Sequence, residues 1–180
     1  MIFLKTYESF NKSCYYHSSP EFLGDNFEFK PEGYYEEIGE NNQPIMMFDE
    51  HMESDIPEIC ASKYIGGCVM GSFSTNKSNK FFIYEICENP DKDISHWLDQ
   101  DFPYLEEVRY RHTVTGKYIG TVTLTEYQKG LFDCFYKQQE MYANGFNDED
   151  EEFNQLYDKY WDDIENGKLT KEVKKMKANK

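Results

Sequence analysis

Apolar and polar residues alternate with a period of two in several short stretches of the chain. Residues 26–30 alternate around two phenylalanines, and residues 81–87 alternate around a mixture of aromatic and aliphatic side chains. Such alternation is typical of strands with one buried face. Residues 106–114 and 118–125 show the same pattern on either side of Gly116, so they predict a hairpin that turns at this glycine.

Two further strands are predicted before residue 50. Residues 13–18 are a candidate strand that ends in Tyr-Tyr-His-Ser-Ser-Pro. Pro20 has no backbone donor and stops it, so His17 is expected at a strand end that faces a cleft. Residues 44–48 form a continuous apolar run, as expected of a buried strand.

The middle of the chain predicts one helix. Ser54 or Asp55 is a candidate cap, Pro57 falls in the first turn, and Gly66-Gly67 is a candidate stop signal. Residues 69–73 are then a candidate strand.

The last third of the chain has helical spacing. Thr125 and Gln128 fit a capping box at the start of a helix that ends at Asn144-Gly145. A second helix over residues 147–165 has acidic residues in its first turn and one apolar stripe. The stripe consists of Phe153, Leu156, Tyr157, Tyr160, Trp161 and Ile164. Its aromatic residues Phe153, Tyr157, Tyr160 and Trp161 are expected to be buried. The patterns together predict an α+β fold with a split mixed or antiparallel sheet and short helices in residues 1–125. Residues 126–180 are expected to form a two-helix extension packed on that domain.

The composition indicates a folded core and a strongly acidic protein. The chain has 180 residues, of which 17% are aromatic, and its formal net charge is -15. Aromatic content of this size favours a folded protein. The charge disfavours direct binding to nucleic acid or to anionic membranes. It is explained either by solubility or by an acidic surface that occupies the nucleic-acid groove of another protein.

Five cysteines, at positions 14, 60, 68, 87 and 134, form no Cys-x-x-Cys pair. Their number and spacing predict no disulfide and no zinc ribbon. Residues 148–152 are acidic but lack the pattern of an EF-hand, so no metal is predicted. No stretch has the length of a membrane span and no signal peptide is evident, so a cytoplasmic location is predicted.

Three elements occur in a suggestive order along the chain. His17-Ser18-Ser19 ends the first strand, Phe48 ends the apolar strand, and Glu106-Glu107-Val108-Arg109 opens the late strand. This order resembles the ADP-ribosyltransferase-like fold in its His–Tyr–Glu class. The chain departs from that family where Ser18 replaces the usual Gly, Phe48 replaces Tyr, and Asp49 replaces a small hydroxyl residue.

The resemblance implies NAD as cofactor and a carboxylate that stabilises the oxocarbenium-like ribose. Glu107 is the preferred catalytic residue and Glu106 the alternative, because Glu106 shares its strand face with residues expected in the core. The residues implied in cofactor binding are His17, Ser18, Ser19, Tyr34, Phe48 and Arg109. Among these, an aromatic ring would stack on nicotinamide, and Arg109 would hold the pyrophosphate.

The function predicted first is therefore an ADP-ribosyltransferase-like protein, active or degenerate, that acts on a host target. The composition resembles that of small bacteriophage proteins, which would place the protein in the host cytoplasm. The alternative is a non-enzymatic acidic protein that inhibits a host defence or nucleic-acid enzyme. A cleft that holds His17, an aromatic ring and Glu107 would favour the enzyme, whereas a continuous negative face without a cleft would favour the inhibitor.

Overall fold

The computed structural model describes residues 13–31, 35–38, 44–46, 58–93, 107–144 and 151–180. The strands in these residues are β1 (Tyr15–Ser19), β2 (Asn26–Phe29), β3 (Tyr35–Ile38), β4 (Pro44–Met46), β5 (Ile59–Ser62), β6 (Lys80–Ile86), β7 (Lys92–Asp93), β8 (Glu107–Tyr110) and β9 (Val114–Thr123). The helices are α1 (Ile65–Asn76), α2 (Glu126–Asn144), α3 (Glu151–Glu165) and α4 (Lys168–Lys175).

Seven of these strands form one sheet in the order β2-β9-β6-β1-β5-β8-β7. Every neighbouring pair in it is antiparallel. Strands β3 and β4 pair with each other in a separate two-stranded sheet. The strands and the helices that pack on them confirm the predicted α+β class. The sheet is antiparallel, which is one of the two forms predicted, mixed or antiparallel.

The large sheet carries a hydrophobic core on each face. On one face, buried residues of β6 and β9 pack with all four helices, as Phe81, Leu131 and Leu169 illustrate. On the other face, Tyr84, Tyr110 and their neighbours form a second cluster that includes Phe29 of β2. Alternation along β6 and β8 produces this division, because successive side chains of a strand point to opposite faces.

The C-terminal helices follow the sequence prediction closely. The Thr125 backbone N–H donates to Gln128 Oε1 at 3.0 Å, and the Gln128 N–H donates to Thr125 Oγ1 at 3.2 Å, which confirms the capping box. In α3, Phe153 and Tyr160 are buried as predicted. Tyr157 is 37% exposed and Trp161 is only partly buried, contrary to prediction. Their rings stack on each other at the edge of the stripe.

Helix α4 was not predicted, so the extension contains three helices instead of two. Its buried Leu169 and Val173 pack in the helical core, and α4 contacts α1, α2 and α3. After α4, the chain returns to the sheet, where Asn179 pairs with Thr121 as an isolated antiparallel bridge. None of the helices in the described residues is long and apolar enough to cross a membrane.

The central helix prediction is wrong in its described part. Residues 59–62 form β5, and α1 begins at Ile65 and includes both glycines that were expected to end the helix. The strand predicted at residues 69–73 is also part of α1. Gly66 has a packing reason to be glycine, since a Cβ there would lie 2.1 Å from the Val173 carbonyl oxygen of α4.

Gly116 is a second glycine whose role differs from the prediction. It lies inside β9, and the hairpin predicted to turn there does not form. Strand β8 pairs with β5 and β7, whereas β9 pairs with β2 and β6, so the two strands are not neighbours. A Cβ at Gly116 would approach the Phe29 ring to 2.5 Å. The missing side chain therefore allows Phe29 to pack across the sheet.

Cys14 and Cys87 form a disulfide, which contradicts the prediction of none. Strand register explains the pairing: Tyr15 lies opposite Ile86 in the β1–β6 ladder, so the residues just beyond them face each other. Spacing along the chain could not show this, because the two cysteines are 73 residues apart in sequence. The predicted residues Tyr34, Phe48 and Glu106, and the helix start at residues 54–55, lie outside the described residues.

Candidate functional site in the split between β1 and β5

Strand β1 pairs unequally with its two neighbours. All five of its residues pair with β6, from Tyr15 opposite Ile86 to Ser19 opposite Phe82. On its other edge, only Tyr16 pairs with β5, opposite Ser62. The two strands form no further pairs beyond this one, and we call the unpaired part of the sheet between them the split. It lies toward the Ser19 end of β1. His17 is the middle residue of this strand and does not lie at its end as predicted, because pairing with β6 continues to Ser19.

His17 lies in this split and bonds across it. Its Nδ1 is 2.9 Å from the Cys60 carbonyl oxygen of β5. Because a carbonyl only accepts, Nδ1 carries the proton and Nε2 is left as an acceptor in the neutral ring. Burial lowers the pKa of His17 and so favours the neutral ring, and it outweighs the hydrogen bond to the Cys60 carbonyl, which raises this pKa. The ring also packs on Phe29, with centroids 4.5 Å apart.

Two serines hold helix α1 over the split. The buried Ser18 hydroxyl donates to the Cys68 carbonyl at 2.8 Å and lies 2.7 Å from Ser72 Oγ. Ser72 Oγ in turn donates to the Ser18 carbonyl at 3.1 Å. Helix α1 is therefore fixed to β1 by polar bonds where β5 no longer pairs with it.

Two adjoining cavities open at the split, with volumes of about 930 Å³ and 510 Å³. They share the lining residues His17, Ser18, Cys60 and Ser72. The larger also reaches Ser19, Phe29, Lys30 and Glu58. The smaller runs under α1 to Glu107 of β8 and Tyr136 of α2. Both volumes lie within the range of small-molecule sites, roughly 300–1,000 Å³.

An ion-pair network forms one wall of this region. Arg109 Nε donates to Glu107 Oε1 and its Nη1 to Glu58 Oε2, both at 2.9 Å. Arg111 Nε donates to Glu58 Oε1 at 2.8 Å. Burial alone would raise the pKa of Glu58, but hydrogen bonds from the two arginines hold this pKa below its usual value. The four charges compensate each other, so the wall is neutral.

The Cys60 thiol adjoins Glu107. Burial, and next the negative charge of Glu107, raise the pKa of Cys60 far above its usual value. The thiol is therefore protonated and is not an activated nucleophile. The Tyr136 hydroxyl donates to the Met70 carbonyl at 2.9 Å, so its ring lies against α1 at the far wall of the smaller cavity.

The structure brings together three of the predicted site residues: His17, Ser18 and Glu107 all line the smaller cavity. Ser19 lines the larger cavity only, and Arg109 lines neither of the two but bonds to the carboxylates behind their wall. The predicted residues Glu106, Tyr34 and Phe48 lie outside the described residues.

Sequence reasoning missed four residues of this region. Glu58, Cys60, Ser72 and Tyr136 were not assigned to the site, and they come from β5, α1, α2 and the residue before β5. The helix prediction, which is wrong from residue 58 on, hid the first two, since on a strand their side chains alternate with the buried Ile59 and Ala61. No sequence signal identifies Ser72 or Tyr136.

No protein-family model, curated protein or solved structure matches this chain.

Proposed function

We propose that this protein binds NAD in the split between β1 and β5, as an ADP-ribosyltransferase-like protein. The observation that supports the proposal is the smaller cavity, whose lining includes His17, Glu107 and the aromatic Tyr136. A histidine, an aromatic ring and a carboxylate around one cavity are the groups expected for binding and cleaving a nicotinamide riboside.

His17 is the proposed ribose-binding residue. Its Nδ1–H is committed to the Cys60 carbonyl, which fixes the orientation of the ring. Its Nε2 is therefore a positioned acceptor for a ribose hydroxyl. Ser18 has a different role, because its hydroxyl already bonds to α1; it shapes the cavity and holds the helix.

Glu107 is the proposed catalytic carboxylate. In cleavage, the bond between nicotinamide and ribose C1′ breaks and nicotinamide leaves with the electron pair. An acceptor hydroxyl or water then bonds to C1′ and loses its proton. A carboxylate stabilises the positive charge that develops on the ribose. Here the Arg109 guanidinium neutralises much of the Glu107 charge, since its Nε lies 2.9 Å from Glu107 Oε1. The geometry therefore supports NAD binding more strongly than transfer.

The test is calorimetric titration with NAD, together with an assay for nicotinamide release. We expect saturable binding of one NAD per chain. His17→Ala should weaken it about tenfold, as expected for one lost hydrogen bond of about 1.4 kcal/mol. Glu107→Gln should preserve binding and abolish any release, because it removes the charge but little volume.

Two matched controls test the site assignment. His112→Ala removes a histidine that is bonded to Asp91 away from the split, and Glu126→Gln neutralises a carboxylate whose side chain is 88% exposed. Both should bind NAD like the wild type. Absence of binding, or equal binding by the His17→Ala protein, would contradict the proposal.

A non-enzymatic interaction protein is the second candidate function. It is favoured by the outer face of α3, where Glu151, Asp158, Asp162 and Glu165 are exposed on a chain of net charge -15. Such a face would bind a basic groove on a host nucleic-acid enzyme. Asp158→Lys with Asp162→Lys should then weaken inhibition of that enzyme and leave NAD binding unchanged, which separates the two functions.

A further inference from the structure

Cys14, Glu85 and Cys87 lie together on one face of the sheet, at the end of β1 opposite the split. Each offers one ligand atom, and these three atoms all lie within 4.8 Å of one another. The register produces the cluster: Glu85 and Cys87 are two residues apart and so share a face, and Cys14 faces Cys87 from β1. All three residues are partly buried.

These ligand types suit one class of ion. Two thiolates and a carboxylate are ligands of zinc, and thiolates select zinc-like ions over calcium and magnesium. Three protein ligands leave a fourth tetrahedral position open for water or another donor. The same two sulfur atoms form the Cys14–Cys87 disulfide, so disulfide formation and metal binding exclude each other.

We propose that reduction of the Cys14–Cys87 disulfide creates a site for a divalent zinc-class cation, held by Cys14, Cys87 and Glu85. Two molecules of a low-molecular-weight thiol of the glutathione class supply the electrons. Their sulfurs become one new disulfide, the protein S–S bond breaks, and both protein sulfurs become thiols. Metal binding then displaces one proton from each thiol.

The surroundings of Glu85 are compatible with this role. Tyr16 lies opposite Glu85 on β1, and Lys117 lies opposite it on β9. Lys117 is the cationic residue directly opposite Glu85 in the β6–β9 ladder. A divalent ion would compete with it for the carboxylate through direct coordination.

The site is separate from the proposed NAD site. It shares only β1 with the split, and it lies at the edge where β1 and β6 are fully paired. Failure of NAD binding therefore has no bearing on it, and its own test uses the metal alone.

The test is zinc titration of the full chain in its oxidised form and after reduction with a phosphine. We expect the reduced protein to bind one zinc more than the oxidised protein. Cobalt in place of zinc should produce a thiolate charge-transfer absorption in the reduced protein. Cys87→Ser should abolish the additional zinc site. Glu85→Gln should weaken it by at least the roughly 10–100-fold that loss of an outer-shell partner costs.

Cys60→Ser and Cys134→Ser are matched controls, because both remove cysteines that are free thiols in the structure. Both variants should keep the additional site. Circular dichroism shows whether Cys87→Ser folds; if it does not, Glu85→Gln and the cobalt absorption decide. The proposal is overturned if the reduced protein binds no additional zinc. It is also overturned if Glu85→Gln binds zinc as tightly as the wild type.

Discussion

The two edges of β1 differ although they belong to the same five residues. The edge toward β6 is fully paired and ends in a cross-strand disulfide, whereas the edge toward β5 has one pair, Tyr16 with Ser62. Aromatic and aliphatic side chains surround the paired edge, and polar side chains cluster at the open one. The comparison indicates which part of the sheet is scaffold and which part is available to a ligand.

At the open edge of β1, polar side chains form the hydrogen bonds to backbone carbonyls that a neighbouring strand would otherwise form. The His17 imidazole satisfies the Cys60 carbonyl, and the Ser72 hydroxyl satisfies the Ser18 carbonyl. Buried backbone groups need such partners. In the described residues, no buried side-chain nitrogen or oxygen lacks a hydrogen-bond partner. The opening is thus a stable feature of the fold and not a packing defect.

Truncation of a buried side chain in β6, the strand fully paired with β1, should have the largest effect on stability. Phe81 of β6 is fully buried in the helical core, so Phe81→Ala should lower the free energy of unfolding by about 3–5 kcal/mol. Phe22→Ala is the matched control, since this ring is 51% exposed and should cost much less. Denaturant titration measures both. Equal losses would mean that the two-core arrangement is wrong.

Substitutions at two glycines of α1 test the comparison further, because this helix covers the split. Gly66→Ala should cost about 3 kcal/mol, because its Cβ would lie 2.1 Å from the Val173 carbonyl oxygen and force α1 away from α4. Gly71→Ala meets no atom within 4 Å and should stabilise the helix by up to about 1 kcal/mol. Thermal unfolding distinguishes the two. A destabilised Gly71→Ala protein would contradict the placement of α1.

The charged wall should make stability depend on pH. The arginines hold the pKa of Glu58 below its usual value despite burial, and the Glu58 side chain is only 5% exposed. The stabilisation is therefore complete above the usual glutamate pKa of about 4.3 and is lost as the pH falls through the lowered folded value. Glu58→Gln should cost about 2 kcal/mol at pH 7.

The sign of this pH effect is the sharper test of the ion-pair network. Between about pH 5 and pH 3, a range that includes the usual glutamate pKa of roughly 4.3, the wild type should lose more stability than the Glu58→Gln protein. Urea titrations at several pH values measure the difference. Parallel losses in the two proteins would show that Glu58 does not interact with Arg109 and Arg111 in solution.

Much of the scaffold could be predicted from local pattern. The alternation that predicts β2 and β6, and the capping box that begins α2, are local signals, and the structure confirms them. Helix α1 could not be predicted because Gly66 is required by its contact with α4, whereas local preference treats glycine as a stop. The Cys14–Cys87 disulfide depends on register, which no spacing rule contains.

The candidate site was predictable only in part. His17 was identified because Pro20 ends its strand, and Glu107 because β8 alternates with the buried Val108 and Tyr110. Their presence at one cavity depends on the split between β1 and β5. The bonds between Ser18 and Ser72 that fix α1 over the opening join residues 54 positions apart. Such contacts follow from the tertiary fold and have no local sequence signal.

The central claim is that the open edge of β1 holds NAD, and backbone amide NMR during an NAD titration tests it most directly. The account predicts saturable shift changes at His17, Ser18, Cys60 and Ser72, which line both cavities. Phe81 and Val122, paired in the fully laddered part of the sheet, should not change. No saturable changes, or changes confined to the paired part, would contradict the account.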